Sequence, residues 1–273
     1  MRLSVQTTIL MLLMLIFFSC TGRERGATKY LTEAEEAYKT GNYSIAKLKI
    51  DSIKSQFPKA FNEINFGFHL MQEVRMAENK RNIAFCDSML RENYNNLNEI
   101  LVKFDYVRDD RYQEFGEYHP KAYPHKSSLN QNGLRSAVSE KGDLFIESVL
   151  SGSGIRHNQI KVSSNDGSFA ETLVVTADGL NYRFNTLERS YEIVRFGGND
   201  ENSVAQYIYT YRDKPITLHF IGNRTLITNL SQAAKNAVSN SFELSNLLKS
   251  IEQLKVEKEK SEVLIRYLES RKD

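Results

Sequence analysis

Two long stretches free of helix breakers bracket a block crowded with turn signals, and this arrangement limits the possible folds more than any other feature. Residues 60–104 contain no proline and a single glycine, Gly67, and residues 231–270 contain neither. Between them, over residues 134–229, turn signals recur at Lys141-Gly142, Asp166-Gly167, Asp178-Gly179, Gly197-Gly198, Asp213-Lys214-Pro215 and Gly222-Asn223, separated by β-branched and aromatic runs. Helix, then short strands, then helix is the order of an α+β protein, with an antiparallel sandwich or barrel in the middle.

The last stretch sets out its own packing. Ser231 is a good N-cap, and Leu244, Leu247, Ile251, Leu254, Lys258, Ser261, Ile265 and Leu268 alternate three and four apart, which is a heptad seam. Lys258 and Ser261 interrupt its apolar character. The helix over 230–273 is expected to pack back, antiparallel, on the N-terminal helices, because the 60–104 stretch offers an apolar stripe of similar length. Self-association of two chains through the same seam, giving a homo-oligomer, is the alternative. In the 60–104 stretch the stripe comprises Ile64, Phe68, Met71, Val74, Ile83, Phe85, Met89, Leu97 and Leu101, read as core, with a break expected near residues 93–98, where asparagine lowers helix propensity. Cys86 is expected to lie buried on that apolar side with Phe85 and Met89.

Residues 30–58 read as a helical hairpin, with Gly41-Asn42 at the bend and Pro58 closing the second helix. Ala34, Gly41, Tyr43, Ala46 and Pro58 fall at the spacing of a tetratricopeptide repeat, which the hairpin resembles; Glu33 and Ala37 depart from the Leu and Tyr usual there. A repeat of this kind does not bury its apolar face alone. The hairpin must therefore pack on the next helix.

Residues 109–133 read as an irregular polar loop. His119 and His125 lie in it six apart, without a third partner at metal-ligand spacing, and are read as exposed loop histidines, as are the isolated His69, His157 and His219. Alternation over residues 204–211 reads as a strand with Tyr207, Tyr209 and Tyr211 on one face, followed by a paired strand carrying Ile216, Leu218 and Phe220. Such a tyrosine row has two readings: a platform for glycan or peptide, or cross-strand packing inside a sheet. No nucleophile elbow, zinc-protease signature, phosphate loop or spaced cysteine pair is present, so no catalytic residue, metal ligand or cofactor site is assigned and the chain is not expected to be an enzyme.

The first twenty residues carry an address. Arg2 is followed by an unbroken apolar run over residues 9–18, then by Ser19 and Cys20. The run is too short to span a hydrocarbon core as a helix and has the form of a secretory signal. A short apolar run, a small residue and a cysteine resemble the lipobox of bacterial lipoproteins, although Phe17 and Phe18 are bulkier than the residues usual before the cysteine. The resemblance implies that residues 1–19 are removed, that Cys20 is lipidated, and that residues 20–29 form a tether. No acidic run follows the cysteine, and in Bacteroides-type lipoproteins such a run resembles a surface-export signal. The expected place is thus the cell envelope, on an outer membrane facing the periplasm. With Cys20 lipidated, Cys86 has no intramolecular disulfide partner.

Several segments, among them residues 70–73, 82–88, 112–116, 169–172 and 181–184, resemble those of a group of uncharacterised Bacteroides-type lipoproteins; the resemblance implies no activity and no site. The net charge of +2 in 273 residues gives no reason to expect a nucleic-acid partner. The expectation is a non-catalytic envelope lipoprotein presenting a β module, over 134–229, on a helical stalk that includes residues 30–108, with the membrane and an envelope protein as partners. The rival is a glycan- or peptide-binding lipoprotein that uses the Tyr207, Tyr209, Tyr211 face.

Overall fold

A computed structural model describes residues 25–111, 113–123, 132–152, 154–176, 181–186 and 189–271. The leader with Cys20, the turn at Asp178-Gly179 and His125 lie outside these residues. The chain forms two compact units, Met1–Ser88 with Lys255–Asp273, and Met89–Leu254.

In the first unit, helix α1 (25–39) and helix α2 (Tyr43–Gln56) form the expected hairpin. Gly41 takes φ +75°, a left-handed conformation that ends α1, while the Asn42 side chain accepts the Ile45 N–H at the start of α2. Ala34, Ala37 and Ala46 let the two helices close against Ile50, Met71 and Val74, the last two from helix α3 (Phe61–Leu101). Gly67 of α3 sits beside Ile50, where an added Cβ would lie 3.3 Å from a methyl group. Ion pairs flank the contact, Lys49 to Glu33 at 2.5 Å and Lys47 to Glu78 at 2.7 Å.

The end of helix α5 (Gln232–Glu269) belongs to this unit and packs on α3. Both interruptions of its seam have partners there: Lys258 meets Asp87 at 2.6 Å, and Ser261 accepts from the Asn82 amide at 2.7 Å. Cys86 is buried as expected, and burial pushes its thiol pKa up. Phe68 and Phe85, expected in the core, are exposed instead, as are Phe61 and Phe66.

The second unit holds both sheets. One has the order β1 (Phe104–Val107), β2 (Glu117–Pro120), β3 (Gly133–Ser139), β4 (Leu144–Ser151), β8 (Ser190–Gly197), β7 (Tyr182–Asn185). The other runs β10 (Thr225–Asn229), β9 (Thr217–Ile221), β5 (Gln159–Ser163), β6 (Phe169–Glu171); every pairing is antiparallel. Ile146, Leu150, Val194 and Phe196 from the first sheet share one apolar core with Ile160, Val162, Leu218 and Phe220 from the second. Ala234, Ala237 and Val238 from the start of α5 join them. Ser231 caps α5, accepting the Ala234 N–H, and Ser245 donates to the Gly142 carbonyl at 2.6 Å, fixing α5 against the β3–β4 turn.

The sequence expectation changes at four further places. β1 and β2 pair with each other inside stretches read as helix and loop, because β2 also finds a partner in β3. Helix α3 continues through residues 93–98: Asn93 is buried and donates to Ser250 on α5 at 3.1 Å, so tertiary packing outweighs a propensity deficit of a few tenths of a kcal/mol per residue. His157 is fully buried, and His119 and His219 lie on strands. Residues 204–211 are not a strand. Both edges of β9 are taken, by β5 and β10, so no ladder is open to them, and Val204 and Ile208 enter the core four apart from helix α4 (Val204–Thr210). Asn202 and Ser203 enter α4 with φ +47° and +67°, and the Glu201 carboxylate receives the N–H groups of Ser203 and Ala205.

Candidate functional site

The strand registers bring three polar side chains together inside the sandwich. Ser148 of β4 lies opposite Val194, and Glu192 of β8 lies opposite Leu150, so both share the inward face of the sheet with core residues. Between them sits His157, whose Nε2 is 2.7 Å from Ser148 Oγ and whose Nδ1 is 2.8 Å from Glu192 Oε2. The Glu192 carboxylate also accepts the backbone N–H groups of Arg156 and His157, each at 2.8 Å. Burial opposes its charge, but the His157 ring and the two backbone donors prevail, and its pKa falls to about 2. An ionised carboxylate only accepts, so His157 Nδ1 carries a proton.

The segment that holds His157 is fixed on every side. Phe220 presents an edge to the imidazole at 5.3 Å, and Arg183 donates to the His157 carbonyl at 3.2 Å. The β9–β10 turn lies so close that a Cβ on Gly222 would come 2.5 Å from the Ile155 carbonyl oxygen and 2.8 Å from that of Arg156. Only a residue without a side chain fits there.

Serine, histidine and carboxylate in this order are the parts of an activated nucleophile. Here, however, Ser148 and His157 are 0% exposed and Glu192 is 3% exposed, and Ser148 Oγ also lies 3.3 Å from the Val194 carbonyl. A hydroxyl in mid-strand, facing the core, has no space in front of it for an acyl group. The chemistry available to the array is an internal chain of hydrogen bonds that satisfies three buried polar groups. Sequence reading missed it because His157 looks isolated along the chain. The available signal was a polar residue at an inward position of each of two apolar alternations, Ser148 between Ile146 and Leu150, and Glu192 ahead of Val194 and Phe196.

The opposite face of the six-stranded sheet carries a second network. Glu147 is buried and lies between Arg135 at 2.6 Å and Arg195 at 2.8 Å; Arg195 also reaches Glu117 at 3.4 Å and stacks over Phe145. His119 stands 3.2 Å from Glu117. Burial works against the Glu117 charge, yet the His119 hydrogen bond and the Arg195 guanidinium hold its pKa below the usual value. Among the described residues, no group of three or more His, Cys, Asp or Glu is placed to hold a metal ion.

The three tyrosines do not form a row. Tyr207 of α4 and Tyr211, which caps the end of that helix, are one turn apart and stack on each other at 4.5 Å; the Tyr207 hydroxyl donates to the Ser168 carbonyl at 2.9 Å, and Lys214 covers Tyr211. They close the β5–β6 turn against the helix. Tyr209 points elsewhere, to Phe242 of α5 at 5.3 Å, with the Arg212 guanidinium 4.9 Å from its ring. It lines a cleft of about 710 Å³ within the second unit, floored by Ile100, Leu247, Phe242 and Tyr209 and rimmed by Asn96, Glu99, Lys103 and Asn246.

A second cleft, of about 580 Å³, lies in the first unit, where its polar side chains bond to the chain itself. Asn82 donates to Ser261, Asn79 to the Arg75 carbonyl, Arg81 to the Gly41 carbonyl, and Glu78 and Glu257 pair with lysines. No described helix is long and apolar enough to cross a membrane. No protein-family model, curated protein or solved structure matches the chain.

Proposed function

We propose that this protein is a non-catalytic envelope lipoprotein, held to a membrane through acyl chains on Cys20 and working through contacts with another envelope protein. The observation that carries the non-catalytic reading is the sealing of Ser148: among the described residues, the one serine with a histidine and carboxylate aligned behind it is fully buried and faces the core. Four exposed phenylalanines on α3 support the interaction role, because large apolar side chains left in water are candidates for cover by a partner. The leader supports the anchor. An acylated cysteine with several chains holds a protein firmly to a leaflet, since each buried methylene contributes about 0.8 kcal/mol.

The test has two arms on cells expressing the full chain. A fluorophosphonate probe is expected to leave Ser148 unlabelled, so that wild type and Ser148→Ala behave alike; labelling lost in that variant would restore a hydrolase reading. The wild type is expected to sediment with membranes and Cys20→Ser to leave them. A wild-type protein found soluble with an intact leader would overturn the anchor.

A further inference from the structure

The two clefts differ in the state of their polar groups. In the cleft beside Tyr209, the side chains of Asn96, Glu99 and Asn246 have no hydrogen-bond or ion-pair partner among the described residues, and neither does the Tyr209 hydroxyl. These groups come from three separate helices, α3, α4 and α5, and surround a floor of aromatic and aliphatic carbon. Folding therefore places amide, carboxylate and phenol groups around one apolar surface without using them internally. We propose that this cleft binds a neutral carbohydrate.

Charge and shape favour that class. Of the charged residues that line the cleft, Glu99 stands with Lys103, and Glu243 is paired at 3.5 Å with Arg212, which lies just outside the lining. The balance gives no net attraction for an anion or a cation. A sugar ring has an apolar C–H face that lies on Tyr209 and Phe242 and an equator of hydroxyls that both donate and accept, as do the side-chain amides of Asn96 and Asn246. A carboxylate accepts two neighbouring hydroxyls at once, which suits Glu99. An extended peptide is disfavoured because the lining comes from three helices and the turn residue Lys103, and no strand residue lines it to offer main-chain pairing. The volume lies in the range of about 300–1,000 Å³ typical of small-molecule sites.

The experiment is calorimetric titration of the detergent-solubilised full chain with five neutral hexasaccharides, those of the malto, cello, laminari, manno and xylo series, each carried to millimolar concentration. At least one is expected to bind saturably. Tyr209→Ala should weaken that binding about tenfold, as loss of a stacking ring does, while Tyr211→Ala, off the cleft, should leave it unchanged. Asn246→Ala, at an exposed position where folding is not at risk, should weaken it several-fold. Absence of heat with all five sugars would overturn the proposal. So would binding indifferent to both Tyr209→Ala and Asn246→Ala, or a preference of the cleft for a mixed peptide pool over the sugars. None of these results bears on the anchor or on Ser148.

Discussion

Replacing Glu192 by glutamine tests the buried array directly. Glutamine keeps the volume but removes the charge and presents an NH₂ group to a site built from donors: the N–H groups of Arg156 and His157 and the His157 ring. The fall of the Glu192 pKa from an ordinary 4.5 to about 2 corresponds to about 3 kcal/mol of preference for the ionised form. Because the folded-state pKa is depressed, this contribution is complete above pH 4.5 and is lost as the pH falls toward 2. Urea unfolding of wild type and Glu192→Gln, followed by far-ultraviolet circular dichroism, should thus show a gap of about 3 kcal/mol at pH 7. By pH 3 more than half of that gap should be gone, since in the wild type alone the unfolded chain takes up a proton on Glu192 that the folded chain still resists. A gap below about 1 kcal/mol at pH 7, or one of constant size down to pH 3, would refute the view that the array is held together by a buried charge.

Glu147→Ala leaves the guanidinium groups of Arg135 and Arg195 facing one another without the carboxylate between them, and should cost about 3–5 kcal/mol in urea unfolding. Gly222→Ala drives a methyl group into the carbonyl oxygens of Ile155 and Arg156, backbone atoms that have no rotamer to escape into; a loss of at least about 1–3 kcal/mol is expected, read as a lowered thermal midpoint. Cys86, buried and with its thiol pKa raised by that burial, should react with a thiol-selective disulfide reagent only at the rate of unfolding, so rapid modification of the native chain would contradict its placement.

The helices were readable because their signals are local and redundant. Ser231 as cap and the seam from Leu244 to Leu268 are each visible within one or two turns, and every seam position lies buried or half-buried in the fold. The turns at Gly142, Gly167 and Gly222 were readable for the same reason, as short hairpin punctuation. What failed depended on distant partners. The stretch from Val204 to Tyr211 satisfies both a two-residue and a four-residue period, and only the occupied edges of β9 decide between them. As a consequence one tyrosine of the expected three, Tyr209, faces a cleft, and the other two serve packing. The Ser148–His157–Glu192 array joins residues that are separated by nine and thirty-five positions along the chain, a distance no spacing rule spans.

The two polar residues in the α5 seam give the first unit a single alignment. Sliding α5 by one heptad toward the start of α3 would set Lys258 beside Lys80 in place of Asp87 and Ser261 beside Arg75 in place of Asn82, exchanging an attraction for a repulsion and an amide for a second cation. A purely leucine seam would tolerate such a step; this one works as a keyed joint, latching at one notch.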